Sequence, residues 1–315
     1  MAARKISISV IPSFLTSPVL EGQVSVRDVD VDLHPAPSVN ENTLAMLDLE
    51  FDIGEMSMAT FIRARYEGLP LVGLPLFTGR RFIHPAFVFS PRSVLSDPAQ
   101  LRGKRIGLPQ FWMTSSVWGR FLLRQEYGVS VRDASWVTFR PERTSTLAFP
   151  DGVEVMYERQ RTPEEMLASG ELEAAVGATG RGAQTGLVPA FPDLGKAERA
   201  YYAKIPVFPI MHMIVMNERL VREAPDLPVN VCEAFGEAKR LGMAATPSGS
   251  PERTVVGGSA RETEDLLGDD PWPYGIAPNR HVVESLLEDV VDQGLVDRRM
   301  TVEELFVSDL PEPWR

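Results

Sequence analysis

The stretch 51-FDIGEMSMATFIRARYEGLPLVGLPLF-77 changes its period twice. FDI reads as a strand end and Gly54 as a turn. From Met56 the apolar residues fall at helical spacing, which predicts a helix over 56–66. LPLVGLPLF (69–77) is an unbroken apolar run, the pattern of a buried strand. A β-α-β passage this short argues for a sheet covered by helices. Glu55 then stands at the carboxyl end of a strand, before a helix start, where α/β folds place ligands.

The same alternation extends in both directions. KISISVI (5–11) and VSVRDVDVDLH (24–34) alternate as strands, the second with a slip in phase at Asp28. NENTLAMLDLE (40–50) reads as a helix capped by Asn40 or Asn42. FIHPAFVFS (82–90) is a further strand. After residue 103 a second series begins. KRIGLPQF (104–111) and SWVTF (135–139) are strands, and MTSSVWGRFLLRQEYGV (113–129) is a helix ended by Gly128. Thr162, Pro163 and Glu165 form a capping-box pattern at the next helix, and LEAAVGA follows as a strand. Residues 178–199 are rich in Gly and Pro and read as a loop. PVFPIMHMIVMN (206–217) is a long apolar strand, and almost everything beyond it is helical.

Helices alone cannot make a sheet, so the last hundred residues are expected to return to the first one. This predicts an α/β chain of two lobes: 1–90 with 215–315, and 91–214. The chain crosses near 82–105 and 206–217, and the ligand is expected between the lobes.

The chain has 315 residues, 44% hydrophobic and 24% charged, with a net charge of −11. These are ordinary globular values, and the acidic balance argues against nucleic acid as a partner. No run approaches a membrane span, and no apolar leader segment follows MAARKISISVIP, so a cytoplasmic location is expected. The single cysteine, Cys232, lies in a helical pattern and reads as a buried structural thiol. There is no HxH, HExxH, Walker, Rossmann or GxSxG pattern, so no cofactor is expected. A homo-oligomer is left open.

FDIGEMSMATFI, RRFIHPAFVF, LRGKRIGLPQFWMTSSVWGRFLLRQEYGV, FPIMHMIVMN and GDDPWPYGIAPNRHVVESLLEDVVDQGL together resemble the 4,5-dihydroxyphthalate decarboxylase family. The blocks run in order from about residue 5 to 307. Pro85 follows His84 where the family has small residues, and 140–160 and 246–262 have no counterpart. The resemblance implies a type II periplasmic-binding-protein-like fold. It also implies loss of CO2 from a hydroxylated aromatic acid, giving protocatechuate from 4,5-dihydroxyphthalate in phthalate degradation.

Such a reaction asks for a proton donor at the ring carbon and a base at a phenol. It also asks for a cation for the retained carboxylate and an apolar wall. Four histidines exist, His34, His84, His212 and His281. His84 and His212 lie in the two crossing runs, where a buried imidazole without a partner would cost about 1–3 kcal/mol. They are the candidate acid and base, with Glu55 orienting one of them or bonding a ring hydroxyl. His281 reads as a solvated helix residue. Two histidines with Glu55 could also hold a cation. Arg81, favoured by the motif, and Arg80 are candidates for the carboxylate. Arg120 is a third, or else a solvated helix residue. Thr114 and Ser115 open a helix whose free N–H groups suit an anion. Ser57, Trp112 and Tyr274 complete the candidate substrate contacts. The rival reading is a binding protein for small aromatic acids, without catalysis.

Overall fold

The computed structural model describes residues 4–143, 149–178 and 186–315. The strands in chain order are β1 Arg4–Val10, β2 Val29–Pro35, β3 Ile53–Ser57, β4 Leu71–Gly73, β5 Gly79–Arg80 and β6 Phe87–Phe89. There follow β7 Arg105–Leu108, β8 Ser135–Thr138, β9 Val155–Tyr157, β10 Ala174–Val176, β11 Val188–Pro189 and β12 Ile210–Asn217. The helices are α1 Ser17–Leu20, α2 Val39–Leu47, α3 Met58–Tyr66, α4 Thr114–Tyr127, α5 Pro163–Ser169 and α6 Leu194–Lys204. They continue with α7 Glu218–Glu223, α8 Leu227–Ala245, α9 Ala260–Leu267, α10 Arg280–Asp292 and α11 Val302–Leu305.

The chain divides into two compact units. The first comprises Met1–Arg81, Ile210–Leu287 and Met300–Arg315, and the second Phe82–Pro209 and Glu288–Arg299. The sequence reading put the first boundary at 90/91 and the second at 214/215. The chain changes unit earlier because Phe87–Phe89 pairs within the second sheet, and Ile210 already pairs within the first. It also missed the excursion of 288–299 into the second unit, which α10 begins within the first.

The first unit carries a sheet in the order β2-β1-β3-β12-β4, with β5 also on β12. β1 runs parallel to β2 and β3, and β12 returns antiparallel to β3. Ile6, Ile8, Val10, Ile53 and Ile214 form one core with Val231, Cys232 and Phe235 of α8. Cys232 is buried there as a structural thiol, and burial pushes its pKa up. α8 packs so closely that a Cβ on Gly242 would lie 1.5 Å from the Phe14 carbonyl oxygen. The phase slip at Asp28 is a residue with φ of 63°, just before β2.

The second sheet runs β11-β6-β10-β7-β8-β9. β7, β8 and β9 are parallel, and β6 is antiparallel to β10. Val88, Val137, Met166, Leu167, Leu172 and Ala175 make a core beneath it. Gly128 closes α4 in the left-handed conformation, and Thr162 forms the expected capping box with Glu165.

Four local expectations change. Strand β3 runs to Ser57, so Gly54 is no turn and Glu55 lies within the strand. Gly54 is small because α2 crowds it: a Cβ there would lie 2.4 Å from the Met46 sulfur. His84 opens a short 3-10 turn, His84–Ala86, and the strand starts only at Phe87. Pro85 has no N–H for a ladder, which accounts for the late start. Helix α2 is capped by Ser38, not by Asn40 or Asn42. The stretch read as loop, 178–199, includes the start of α6, and its residues 179–185 lie outside the described ones, as do 144–148 within 140–160. Among the described residues no helix is long and apolar enough to cross a membrane.

Candidate active site

In the first unit, β3 and β12 set the register. His212 lies opposite Ser57, and Ile214 opposite Glu55. His212 and Glu55 are therefore diagonal neighbours on one face, within reach of long side chains. Nδ1 of His212 stands 3.3 Å from Oε1 of Glu55. The His212 side chain is 30% exposed and that of Glu55 only 4%, so the imidazole keeps a solvent-facing side while the carboxylate is enclosed.

Glu55 is held on two sides. Its Oε2 accepts from the Ile11 backbone N–H at 3.0 Å. Its own carbonyl accepts from Asn42 Nδ2 at 2.7 Å, and the same amide donates to the Ser9 carbonyl at 2.9 Å. Asn42, read from sequence as a helix cap, thus ties α2 to β1 and β3. Ser57 donates its N–H to Thr43 Oγ1 and accepts from the Thr60 hydroxyl.

Arg80 and Tyr274 lie in the same unit. Arg80 is buried and donates to Asn279 Oδ1 at 2.7 Å. Asn279 in turn donates to the carbonyls of Pro273 and Gly275, so Arg80 is fastened to the segment carrying Tyr274. Arg81 is exposed. The Tyr274 hydroxyl is buried with no hydrogen-bond partner among the described residues. Burial pushes its pKa up, and the charges of Glu55 and Asp270 push the same way. Lys239 Nζ lies 4.8 Å from the Tyr274 ring centroid, a cation–π contact.

The second unit holds the other predicted residues. His84 is 2% exposed, enclosed by the rings of Phe82, Phe191 and Tyr201. Neither ring nitrogen has a hydrogen-bond partner among the described residues, and the Glu126 carboxylate is 4.0 Å from Nε2. Burial lowers the His84 pKa to about 4. Glu126 is at the C-terminal end of α4, about 18 Å of helix from Thr114. Trp112, Thr114 and Ser115 gather at the other end, all buried.

There the N–H groups of Phe111 and Trp112 donate to the Glu142 carboxylate, at 2.6 and 3.3 Å. Arg120 is no solvated helix residue. Its guanidinium lies 3.9 Å from the Phe111 ring centroid and donates to the Phe111 carbonyl and to Gln293. Burial lowers its pKa to about 9, with Asp289 and Glu142 opposing. Gln293 belongs to the returning segment 288–299, so Arg120 binds that segment to α4.

No family model matches the chain. It is 29% identical to a 4,5-dihydroxyphthalate decarboxylase of Comamonas testosteroni, over 97% of each chain. It is also 29% identical to one of Pseudomonas putida, over 51% of this chain and 65% of that one. The chain is a relative of 4,5-dihydroxyphthalate decarboxylase. Its fold is periplasmic-binding-protein-like. The periplasmic aliphatic sulphonate binding protein of Escherichia coli matches with a TM-score of 0.54 at 13% identity, over 96% of this chain and 92% of that one. A Candida albicans gene product with the generic periplasmic binding protein fold matches with a TM-score of 0.55 at 13% identity, over 99% of both.

Sequence reasoning missed Asn279 and Gly79 in the first unit and Glu142 in the second. Asn279 follows WPYG in the run GDDPWPYGIAPN, yet nothing local marks it as the partner of Arg80. Gly79 precedes the two arginines and lies opposite His212 in the sheet. Glu142 falls in a stretch without counterpart in the resemblance. Among the described residues no three His, Cys, Asp or Glu side chains gather at metal-ligating range.

Proposed function

We propose that this chain is a decarboxylase of hydroxylated aromatic carboxylic acids, with 4,5-dihydroxyphthalate as substrate and protocatechuate and CO2 as products. The observation that carries the reading is the contact between His212 and Glu55. A buried carboxylate beside Nδ1 favours the proton on that nitrogen and fixes the ring. Nε2 is then the atom that exchanges a proton with the substrate. The names of the two relatives supply the reaction class.

A bare aryl anion is too unstable to form, so the ring carbon that bears the departing carboxylate must gain a proton first. The phenol para to it loses its proton and releases electron density into the ring. The C–C bond then breaks, its electron pair restores the aromatic ring, and CO2 leaves. The phenol regains its proton, which balances the reaction without an oxidant or a reductant. His212 is suited to one of the two proton transfers, with Glu55 orienting the ring. Arg80, Ser57 and Tyr274, from the same unit, are the proposed substrate contacts there. Arg81, in that unit too, is the candidate for binding the retained carboxylate.

The test is product analysis. Purified protein incubated with 4,5-dihydroxyphthalate, without added metal, should yield protocatechuate and CO2 in equal amounts. Glu55→Gln should lower kcat by on the order of 100-fold. Tight binding of the acid without turnover would instead favour the rival reading, a binding protein, which the fold shared with the sulphonate binding protein also supports.

A further inference from the structure

The pairing of β12 with β5 is irregular. Ile210 lies opposite Arg80 and His212 opposite Gly79, so two steps along β12 match one along β5. Met211 is the extra residue of a bulge, and bulges re-aim the side chains beside them. The next strand on the other side, β3, pairs with β12 in regular register. The irregularity is therefore confined to the edge from which the His212 ring would otherwise be crowded.

Gly79 stands at the centre of that edge. A Cβ on it would lie 2.5 Å from His212 Nδ1, 3.0 Å from Cγ and 3.3 Å from Cβ. The first of these is closer than real Cβ contacts come, and the atom that it strikes is the one facing Glu55. Gly79 is not among the glycines with positive φ. Backbone conformation does not call for glycine here, but the space taken by the imidazole does. Moving away from a Cβ would take the ring out of its place beside the carboxylate, which is itself fixed by Ile11 and by the strand.

We propose that Gly79 is a positioning residue: its missing side chain, opposite the β12 bulge, allows the His212 ring to stand with Nδ1 against Glu55. This rests on the reading of His212 and Glu55 as the proton-transfer pair, and it assigns to Gly79 the geometry of that pair. It acts through His212 and touches no reacting atom.

The experiment uses Gly79→Ala with 15N-labelled histidine. Above the titration range of imidazole, the His212 resonances of the unaltered protein should report a proton on Nδ1. In Gly79→Ala they should move toward the Nε2-protonated tautomer. With 4,5-dihydroxyphthalate, kcat should fall by on the order of 100-fold while KM stays within about twofold, as for a misplaced catalytic group. Added to Glu55→Gln, the same substitution should cause no further loss, because the contact that it disturbs is already gone. An unchanged tautomer, or a loss that multiplies with that of Glu55→Gln, would overturn the assignment.

If Gly79→Ala lowers Tm, the loss should vanish in a His212→Ala background, where the ring is absent. An equal loss in both backgrounds would mean that Gly79 serves another neighbour, and would also overturn it. The tautomer signal needs no turnover. Failure of the unaltered protein to release CO2 would therefore count against the proposed function alone.

Discussion

Two histidines lie in stretches that look alike, IHPAFVFS (83–90) and IMHMIVMN (210–217). The structure gives them opposite surroundings. His212 sits in strand β12, in register with β3, with a carboxylate 3.3 Å from one nitrogen and solvent within reach of the ring. His84 sits on a 3-10 turn inside a box of aromatic rings, with neither nitrogen paired among the described residues. The first arrangement orients the ring and leaves its other nitrogen able to pass a proton outward. The second disfavours charge, and burial takes the His84 pKa down to about 4. An apolar run around a histidine therefore says that the backbone is buried. The partner across the sheet decides what the ring can do.

The comparison breaks most sharply in turnover. His212→Gln should lower kcat for 4,5-dihydroxyphthalate by on the order of 1000-fold, the usual worth of a general acid or base. His84→Phe, which refills the aromatic box, should change it by less than about tenfold. Steady-state rates on the two variants, with near-ultraviolet circular dichroism to verify packing, decide this. A collapse of kcat in His84→Phe with native packing would return His84 to the catalytic pair proposed from the sequence.

Acid stability comes next. His84 is held neutral when folded but takes a proton near pH 6.5 when unfolded. Its contribution to stability is thus complete above that pH and is lost as pH falls toward 4. Asp289 has the opposite sign. Burial raises its pKa to about 6 despite the Arg124 ion pair. The folded state therefore keeps a proton that the unfolded chain releases near pH 3.8. Its effect favours the folded state increasingly as pH falls from 6 toward 3.8. Each amounts to about 3 kcal/mol, and the two nearly cancel. Relative to the unaltered protein, His84→Phe should gain about 3 kcal/mol between pH 6.5 and 4, and Asp289→Asn should lose about as much between pH 6 and 4. Urea unfolding at a series of pH values measures both. Parallel curves for all three proteins would show that neither group titrates as its burial requires.

Much of the fold was legible because its signals are local. Gly128, the Thr162–Glu165 capping box and the 227–245 helix each depend on residues a turn or two apart. The β-α alternation likewise follows from apolar period alone. What was not legible depends on distant strands. Glu55 looked like a residue at a helix start, because nothing nearby in sequence shows that β12 pairs along β3 as far as Ser57. Arg120 looked like a solvated residue of α4, because its partners, Phe111 and Gln293, come from a preceding loop and from a segment that returns near the chain end. The pairing of Glu55 with His212 was thus visible only as one of several options.

The smallest effect sharpens the contrast at pH 7.5, above the range in which His84 and Asp289 titrate. Removing a buried polar group that lacks a partner sheds a desolvation penalty, while removing one member of a pair strands the other. His84→Phe should leave the unfolding free energy at pH 7.5 unchanged or raise it by about 1 kcal/mol, since a ring replaces a ring among Phe82, Phe191 and Tyr201. His212→Phe should lower it by about 1–2 kcal/mol, because the enclosed Glu55 carboxylate keeps its bond from Ile11 but loses its neighbour on the other oxygen. Chemical denaturation of the two variants side by side reads the difference directly. Equal losses in both would mean that the His84 nitrogens do have partners in solution, and that its enclosure differs from that of His212 in degree only.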